Sequence, residues 1–375
     1  MHISSAFDSG NIIVTDALRP DNIQLEIRKD NQSDFYQWFH FRVTGARDVP
    51  LTLNIANAGG AAYPKGWNDY RAVASFDRHD WFRVPTDYAD GVLTIRHTPE
   101  TDSVFYALFA PYSMERHTDL VGHIACHEGV SLEVLGRTLD GQDIDLLTFG
   151  EPAAGRRACW FVARQHPGES MAEWWMEGFL DRLVDEADPV ARAVRARATL
   201  FVVPNMNPDG SRRGHLRTNA GGANLNREWA EPALERSPEV FHVRARMLET
   251  GCDFALDVHG DEALPYNFLA GMRGIPSLTD RQSALFDSFS QALLRASPDF
   301  QTARGYPAAA PGKGNLTMCS NWVAEQFGCV AATLEMPFKD TADTPDRRCG
   351  WSPARCRHFG AAALDALHAV LGDLR

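Results

Sequence analysis

Four short stretches of the chain concentrate the side chains that could do chemistry. His166 and Glu169 stand three apart across a Pro-Gly turn, in Arg164-Gln165-His166-Pro167-Gly168-Glu169-Ser170. An Asn/Asp-rich turn follows later, Pro204-Asn205-Met206-Asn207-Pro208-Asp209-Gly210. His259 heads His259-Gly260-Asp261, and Glu335 stands alone near the C-terminal end. The HxxE spacing lets an imidazole and a carboxylate reach one cation, and the remote His259 completes a set of three. Two ligands close in sequence, one remote and a fourth position left to water is the layout of a catalytic zinc site. A His₂Glu set suits Zn²⁺ better than Mg²⁺, and Glu335 is then free as general base. HxxE alone is a common spacing; the remote histidine gives it weight. On these residues alone acyl transfer, deacetylation and phosphoester hydrolysis stay open.

Each stretch follows a run of apolar residues, at 159–163, 200–203, 254–258 and 329–334. Continuous apolar runs are expected of strands covered on both faces, and in open α/β sheets ligands gather beyond the carboxyl ends of the strands. Helical periodicity at 170–184, 237–250, 279–296 and 353–371 alternates with these runs, which predicts an α/β domain with a mixed or mostly parallel sheet. A hairpin around Asp140-Gly141 joins 132–135 to 144–148. Residues 1–115 read differently. Ile23, Leu25 and Ile27 alternate with polar residues, as do Leu51, Leu53 and Ile55, and Leu93 and Ile95. The aromatic run 35–41 is expected as a further strand. Turn signals at short intervals complete the pattern of a β-sandwich. The chain thus divides into 1–115, all-β with little that looks catalytic, and 116–375, which carries the four stretches.

The segment 205–229 narrows the chemistry, with Asn-Pro-Asp-Gly at 207–210, Arg217 and Asn226-Arg227 in order. The chain here resembles the zinc carboxypeptidases, and specifically the cytosolic carboxypeptidase branch. The resemblance implies a carboxypeptidase-like mixed sheet flanked by helices, preceded by a β-sandwich. It implies one Zn²⁺ per chain on His166, Glu169 and His259. It makes Glu335 the catalytic base and Arg217 the residue that polarises the scissile carbonyl. Asn226 and Arg227 would grip the C-terminal carboxylate of a peptide or protein substrate. Tyr306 is the nearest match to the family's substrate-capping tyrosine, and Ser320 falls at the base of the specificity pocket. The branch's glutamate-trimming enzymes carry an Arg-containing stretch before the catalytic Glu; here 310–317 has none, so Lys313 and Arg304 are the cations left to select an acidic residue. The function implied is removal of a C-terminal residue, acidic by preference, with an N-acyl amino acid amidohydrolase as the alternative.

The charge sum of 37 − 49 = −12 repels phosphate backbones and argues against nucleic-acid binding. No apolar stretch approaches membrane-spanning length, and the N-terminus lacks the basic and apolar regions of a signal peptide. Seven cysteines with no CxxC pair point to reduced thiols and a cytoplasmic setting. His123, His127 and Glu128 are a second possible metal set, read as structural. Arg212 and Arg213 are expected on a solvated face, with the substrate cleft as the alternative. Asp257, two before His259, is a candidate outer partner of that imidazole. The aromatic surface of the sandwich is a candidate for homo-oligomerisation.

Overall fold

A computed structural model describes residues 1–374. Two five-stranded sheets form the N-terminal sandwich. One joins His2–Ser4, His40–Thr44, Ser103–Ala107, Val73–Ser75 and Phe82–Arg83 in that order, the other Ile13–Asp16, Ile23–Glu26, Leu51–Ile55, Val92–His97 and Thr86–Ala89. The alternation does what period two demands: Leu51, Leu53 and Ile55 are buried while Thr52 and Asn54 are half-exposed.

The aromatic run differs from expectation. The strand begins only at His40, and residues 35–39 belong to no ladder. Their backbone is taken by loops instead: Phe35 O accepts from Asp30 N, Tyr36 O from Ala62 N and Phe39 O from Leu108 N. Trp38, Phe39 and Phe41 are buried inside the domain. Partly exposed aromatics of the sandwich lie elsewhere, at Phe76, Phe82, Tyr88 and Phe105.

The third sheet has seven strands: β1 (Val130–Arg137), β2 (Asp143–Phe149), β3 (Arg157–Ala163), β4 (Ala198–Val203), β5 (Phe254–Asp261), β6 (Phe268–Gly271) and β7 (Val330–Pro337). Their order is β1-β2-β4-β3-β5-β7-β6. The four central strands are parallel, and the outer pairings are antiparallel, including the expected β1–β2 hairpin. The sheet is therefore mixed, as predicted. After β3 the chain goes to β4 on one side; after β5 it goes to β6 and β7 on the other. Neighbouring strands whose continuations part in this way open a crevice at their carboxyl ends. The Met171–Val184 and Pro353–Val370 helices meet backbone to backbone where Gly178 faces Arg357 and Gly360 faces Trp175; a Cβ at Gly360 would stand 2.0 Å from Trp175 O. None of the described helices is long and apolar enough to cross a membrane.

A buried ion pair fixes the turn that leaves β3. Arg164 has φ 58°, a left-handed conformation that costs a non-glycine residue energy and persists only under strong local constraint. Its guanidinium supplies that constraint. It donates to Pro167 O at 3.0 Å, to Tyr112 O at 2.8 Å and to Glu173 at 2.6 Å, all in the interior. Glu173 also holds Asn205 Nδ2 at 3.1 Å and His117 Nδ1 at 2.6 Å. One carboxylate thus ties the β3 turn, the Asn-rich turn after β4 and the helix that joins the two domains, Met114–Ala125.

His117 makes this knot sensitive to alkali. Burial works against its charge, but Glu173 and Asp145 outweigh it and push His117 up to about 9 from 6.5. A group raised on folding stabilises the fold fully below its unfolded value, and the gain is lost as pH rises through the folded one. That difference is worth roughly 3 kcal/mol. Urea unfolding at pH 6 and pH 10 should show wild type losing stability of this order across the interval and His117→Gln losing markedly less. An identical loss in both proteins would show that His117 is not the titrating link.

Candidate metal centre and substrate cleft

At the carboxyl ends of β3 and β5 three side chains converge. One donor atom from each of His166, Glu169 and His259 lies within 4.8 Å of the others, and all three residues are buried. His166 Nδ1 is 2.7 Å from Glu169 Oε1, His259 Nδ1 is 2.8 Å from Glu169 Oε2, and the two Nδ1 atoms are 3.2 Å apart. The outer nitrogens face acceptors: His166 Nε2 is 3.0 Å from Asn224 Oδ1, and His259 Nε2 is 2.9 Å from Asp257 Oδ2. Those acceptors assign the ring protons to Nε2, so both Nδ1 lone pairs point at the shared centre. Two lone pairs and a carboxylate facing one buried point repel one another unless positive charge stands there. The neighbouring carboxylates favour such a charge. Burial alone would lower His259, yet Asp257 and Glu169 raise it well above its ordinary value. Burial and the Arg217 charge lower His166 to about 4. Burial opposes the charge on Glu169, but the two imidazoles outweigh it and hold its carboxyl low. A set of two imidazole nitrogens and one carboxylate fits zinc.

The β5–β7 register places the next group. His259 pairs with Glu335, and Asp257 with Thr333, so both pairs project from one face of the sheet. Glu335 is a continuation of β7 rather than a loop residue, just as His259 lies within β5. Burial pushes the Glu335 carboxyl well above the ordinary range; His259 opposes this, and Glu169, Asp261 and Glu262 add to it. Its Oε2 is buried without a hydrogen-bond partner. A Cβ at Gly260 would lie 2.4 Å from Met171 Sδ, so the close seat of β5 against the following helix needs glycine here.

Arg217 and Arg227 stand beside this cluster, and among the described residues neither has an ion-pair partner. Arg217 Nε is buried and unpartnered. Burial and the Arg217 charge both depress Arg227. Two adjacent cations without carboxylates form a place for an anion. Asn226, expected to grip carboxylate, has its amide oxygen engaged by backbone. Its Oδ1 accepts from Cys319 N at 2.8 Å and its Nδ2 lies 3.4 Å from His259 Nε2, both buried. It holds the start of the Cys319–Phe327 helix.

Tyr306 is half-exposed and its hydroxyl donates to Asp261, two residues past His259, with its ring edge-on to Phe268. Ser320 is buried, its hydroxyl 2.9 Å from that of Thr333, one step below Glu335 on the same face. Lys313 and Arg304 line a cavity of about 700 Å³ between β6, the Asp280–Ala296 helix and residues 300–315. Tyr306 also lines this cavity, whereas His166, Glu169, His259, Glu335 and Ser320 do not. Lys313 therefore lines a neighbouring cavity rather than the metal cluster. His123 and His127 are on the outside with rings 5.2 Å apart, and the only metal-like cluster among the described residues is the one above. Arg212 and Arg213 are exposed; Arg213 pairs with Asp140 at 2.6 Å, so the solvated-face reading holds and they line no part of the metal cluster. All seven cysteines are free.

Asp257 takes the outer-partner place expected of it, and Gln165 joins it there: Gln165 Nε2 donates to Asp257 at 2.7 Å while Trp229 Nε1 donates to Gln165 Oε1 at 2.8 Å. Gln165, Asn224, Arg164 and Glu173 escaped the sequence reading. Asn224 and Gln165 had a faint signal, each lying within two residues of a candidate. Phe35 and Tyr63 had none, yet their rings lie 5.5 and 5.4 Å from the Arg217 guanidinium.

Comparison with known proteins agrees with this geometry. Residues 3–109 match the family model described as Cytosolic carboxypeptidase N-terminal domain, and residues 123–343 the one described as Zinc carboxypeptidase. A metallo-carboxypeptidase from Burkholderia cenocepacia is 50% identical with a TM-score of 0.97, over 99% of both chains. A metallo-carboxypeptidase from Pseudomonas aeruginosa, solved with (2-guanidinoethylmercapto)succinic acid, is 45% identical with a TM-score of 0.98, over 100% of both chains. Cytosolic carboxypeptidase 4 of Mus musculus is 29% identical over 77% of this chain, which spans 31% of that protein's length. The chain belongs to the zinc carboxypeptidase family, in its cytosolic carboxypeptidase branch, and is a zinc-dependent metallocarboxypeptidase.

Proposed function

We propose that this enzyme removes the C-terminal residue of peptides or proteins, with a preference for acidic residues, using one zinc ion per chain held by His166, Glu169 and His259. The observation that carries the reading is the pair of guanidiniums, Arg217 and Arg227, that stand beside that donor set without an ion-pair partner among the described residues. When bound, the ion polarises the scissile carbonyl and acidifies water. Arg227 takes the free carboxylate of the substrate, since a guanidinium fork matches carboxylate geometry. Arg217 Nε donates to the oxygen on which negative charge develops. Glu335 takes the proton of the attacking water and passes it to the leaving amine; a carboxyl raised by burial suits a group that must accept and return a proton. Tyr306 closes the cleft from the Asp261 side.

The acidic preference rests on the wall of the neighbouring cavity. Arg273 there is paired with Asp287, while Lys313 and Arg304, the latter over the Tyr266 ring, have no ion-pair partner among the described residues. The cavity reaches Gly271, where a Cβ would stand 3.1 Å from Ser320 Oγ, so it adjoins the Ser320–Thr333 floor. The division at residue 115 and a cytoplasmic setting complete the proposal; free cysteines and the branch's cytosolic relatives support the latter.

Metal analysis should find one zinc per chain in wild type and in Glu335→Gln, and little in His166→Ala or His259→Ala. Glu335→Gln should lose at least about 10²-fold in turnover. A near-wild-type kcat in the zinc-loaded variant would remove Glu335 from the role of base.

Arg227→Ala should cost about 2–5 kcal/mol in kcat/KM, the usual penalty for breaking a buried charge pair. C-terminal amidation of the peptide should hurt wild type comparably and the variant little further. Equal cleavage of free and amidated peptides by wild type would exclude an exopeptidase.

Peptides differing only in the last residue should be cut fastest with Glu or Asp, and Lys313→Ala should narrow the advantage several-fold. Faster release of Phe or Lys, or faster hydrolysis of N-acetyl amino acids than of peptides, would refute the substrate assignment.

A further inference from the structure

The sandwich domain enters the catalytic machinery at one carboxylate. Asp30 lies in the turn after the Ile23–Glu26 strand and is 3% exposed. Its Oδ1 accepts from Leu216 N at 2.7 Å; its Oδ2 accepts from Arg217 N at 2.8 Å, Thr218 N at 2.9 Å and Thr218 Oγ1 at 3.2 Å. Three successive backbone N–H groups of the arginine loop are thus gathered by one side chain from the other domain. Four charge-assisted bonds to a buried carboxylate hold backbone far more firmly than neutral ones. The same turn carries a second device. Asp30 N donates to Phe35 O at 2.8 Å, which sets Phe35, and Gln37 grips Tyr63 through both backbone groups, Tyr63 N at 2.8 Å and Tyr63 O at 3.2 Å. Phe35 and Tyr63 then bracket the Arg217 guanidinium at cation–π distance. Backbone and head group of one arginine are therefore both fixed from outside the domain that contains it.

We infer that Asp30 is a positioning residue for catalysis: through the 216–218 backbone, with Phe35 and Tyr63 on its guanidinium, the sandwich aims Arg217 at the scissile carbonyl. The inference rests on the oxyanion role proposed above for Arg217. An arginine that only bound substrate would tolerate some freedom. One that must meet charge as it develops cannot, because preorganised donors act without reorganising at the moment of reaction. Misplacing that donor should lower kcat more than it raises KM.

The test is a double-mutant cycle on the zinc-loaded, full-length enzyme with a peptide bearing a free C-terminus. Asp30→Asn keeps the shape and removes the charge. It should lower kcat about tenfold or more, as small displacements of a catalytic group do. KM should stay within about twofold and zinc content should equal wild type, since only coupled residues share an effect. In an Arg217→Ala background the same change should cost less than about twofold in kcat. If Asp30→Asn fails to fold, Phe35→Leu with Tyr63→Leu is the second arm, with the same expected pattern. A loss of equal size in both backgrounds, or a loss confined to KM, would overturn the inference while leaving Arg217 in its role. Arg217→Ala at wild-type kcat would overturn the oxyanion role itself, and the inference with it.

Discussion

Two imidazole lone pairs and a carboxylate share a buried point at the carboxyl ends of β3 and β5, and that arrangement needs positive charge at its centre. Little else in the catalytic domain is free of this requirement. Each ring must show its Nδ1 inward, so each Nε2 must find an acceptor, and Asn224 and Asp257 provide them. Asp257 must be fixed in turn, which Gln165 and Trp229 do. Glu169 must reach both histidines from a turn that runs against ordinary backbone preference at Arg164, and the buried Arg164–Glu173 pair holds that turn. A buried pair of this kind is a weak source of net stability. Its place here is better understood as geometry: it fixes three neighbouring segments relative to one another.

The sheet supplies the remaining precision. Because β5 and β7 are parallel and in register, His259 and Glu335 lie side by side on rigid backbone. A strand end offers a fixed direction and an open crevice together, which a loop cannot do. The arginines, by contrast, come from the long irregular segment after β4, which has little regular structure of its own. That segment is stiffened from outside. Asn11 donates to Gly214 O, Asn31 to Ala220 O, and Asp30 takes the backbone of 216–218. The sandwich thus serves as a brace for the part of the cleft least able to brace itself.

Much of this was legible in the chain. Continuous apolar runs marked the central strands because helices cover both faces. HxxE, the remote His259 and Glu335 fell at their ends because open sheets concentrate chemistry there. Asp257 was legible as an outer partner from its spacing of two on one strand face. The β-sandwich was legible from its alternation, but the aromatic run 35–39 was not a strand. Hydrophobicity reports burial, and burial there comes from loops of the same domain, at Asp30, Ala62 and Leu108, rather than from a ladder.

What the sequence by itself determined was which residue types could bind a cation and move a proton, and which elements would carry them. Only the tertiary structure decided which side chains they lean on. Asn226 sits near Arg227 in sequence yet holds the Cys319 backbone. Lys313 precedes Glu335 in a suggestive loop yet lines a separate cavity wall. Asp30 and Arg217 lie in different domains, 187 positions apart, and meet through backbone N–H groups. Every residue but proline has such a group, so no residue type on the catalytic side announces the contact. Periodicity and motif record what a segment does for itself; a carboxylate serving a distant backbone is visible only where the two chains of contacts close.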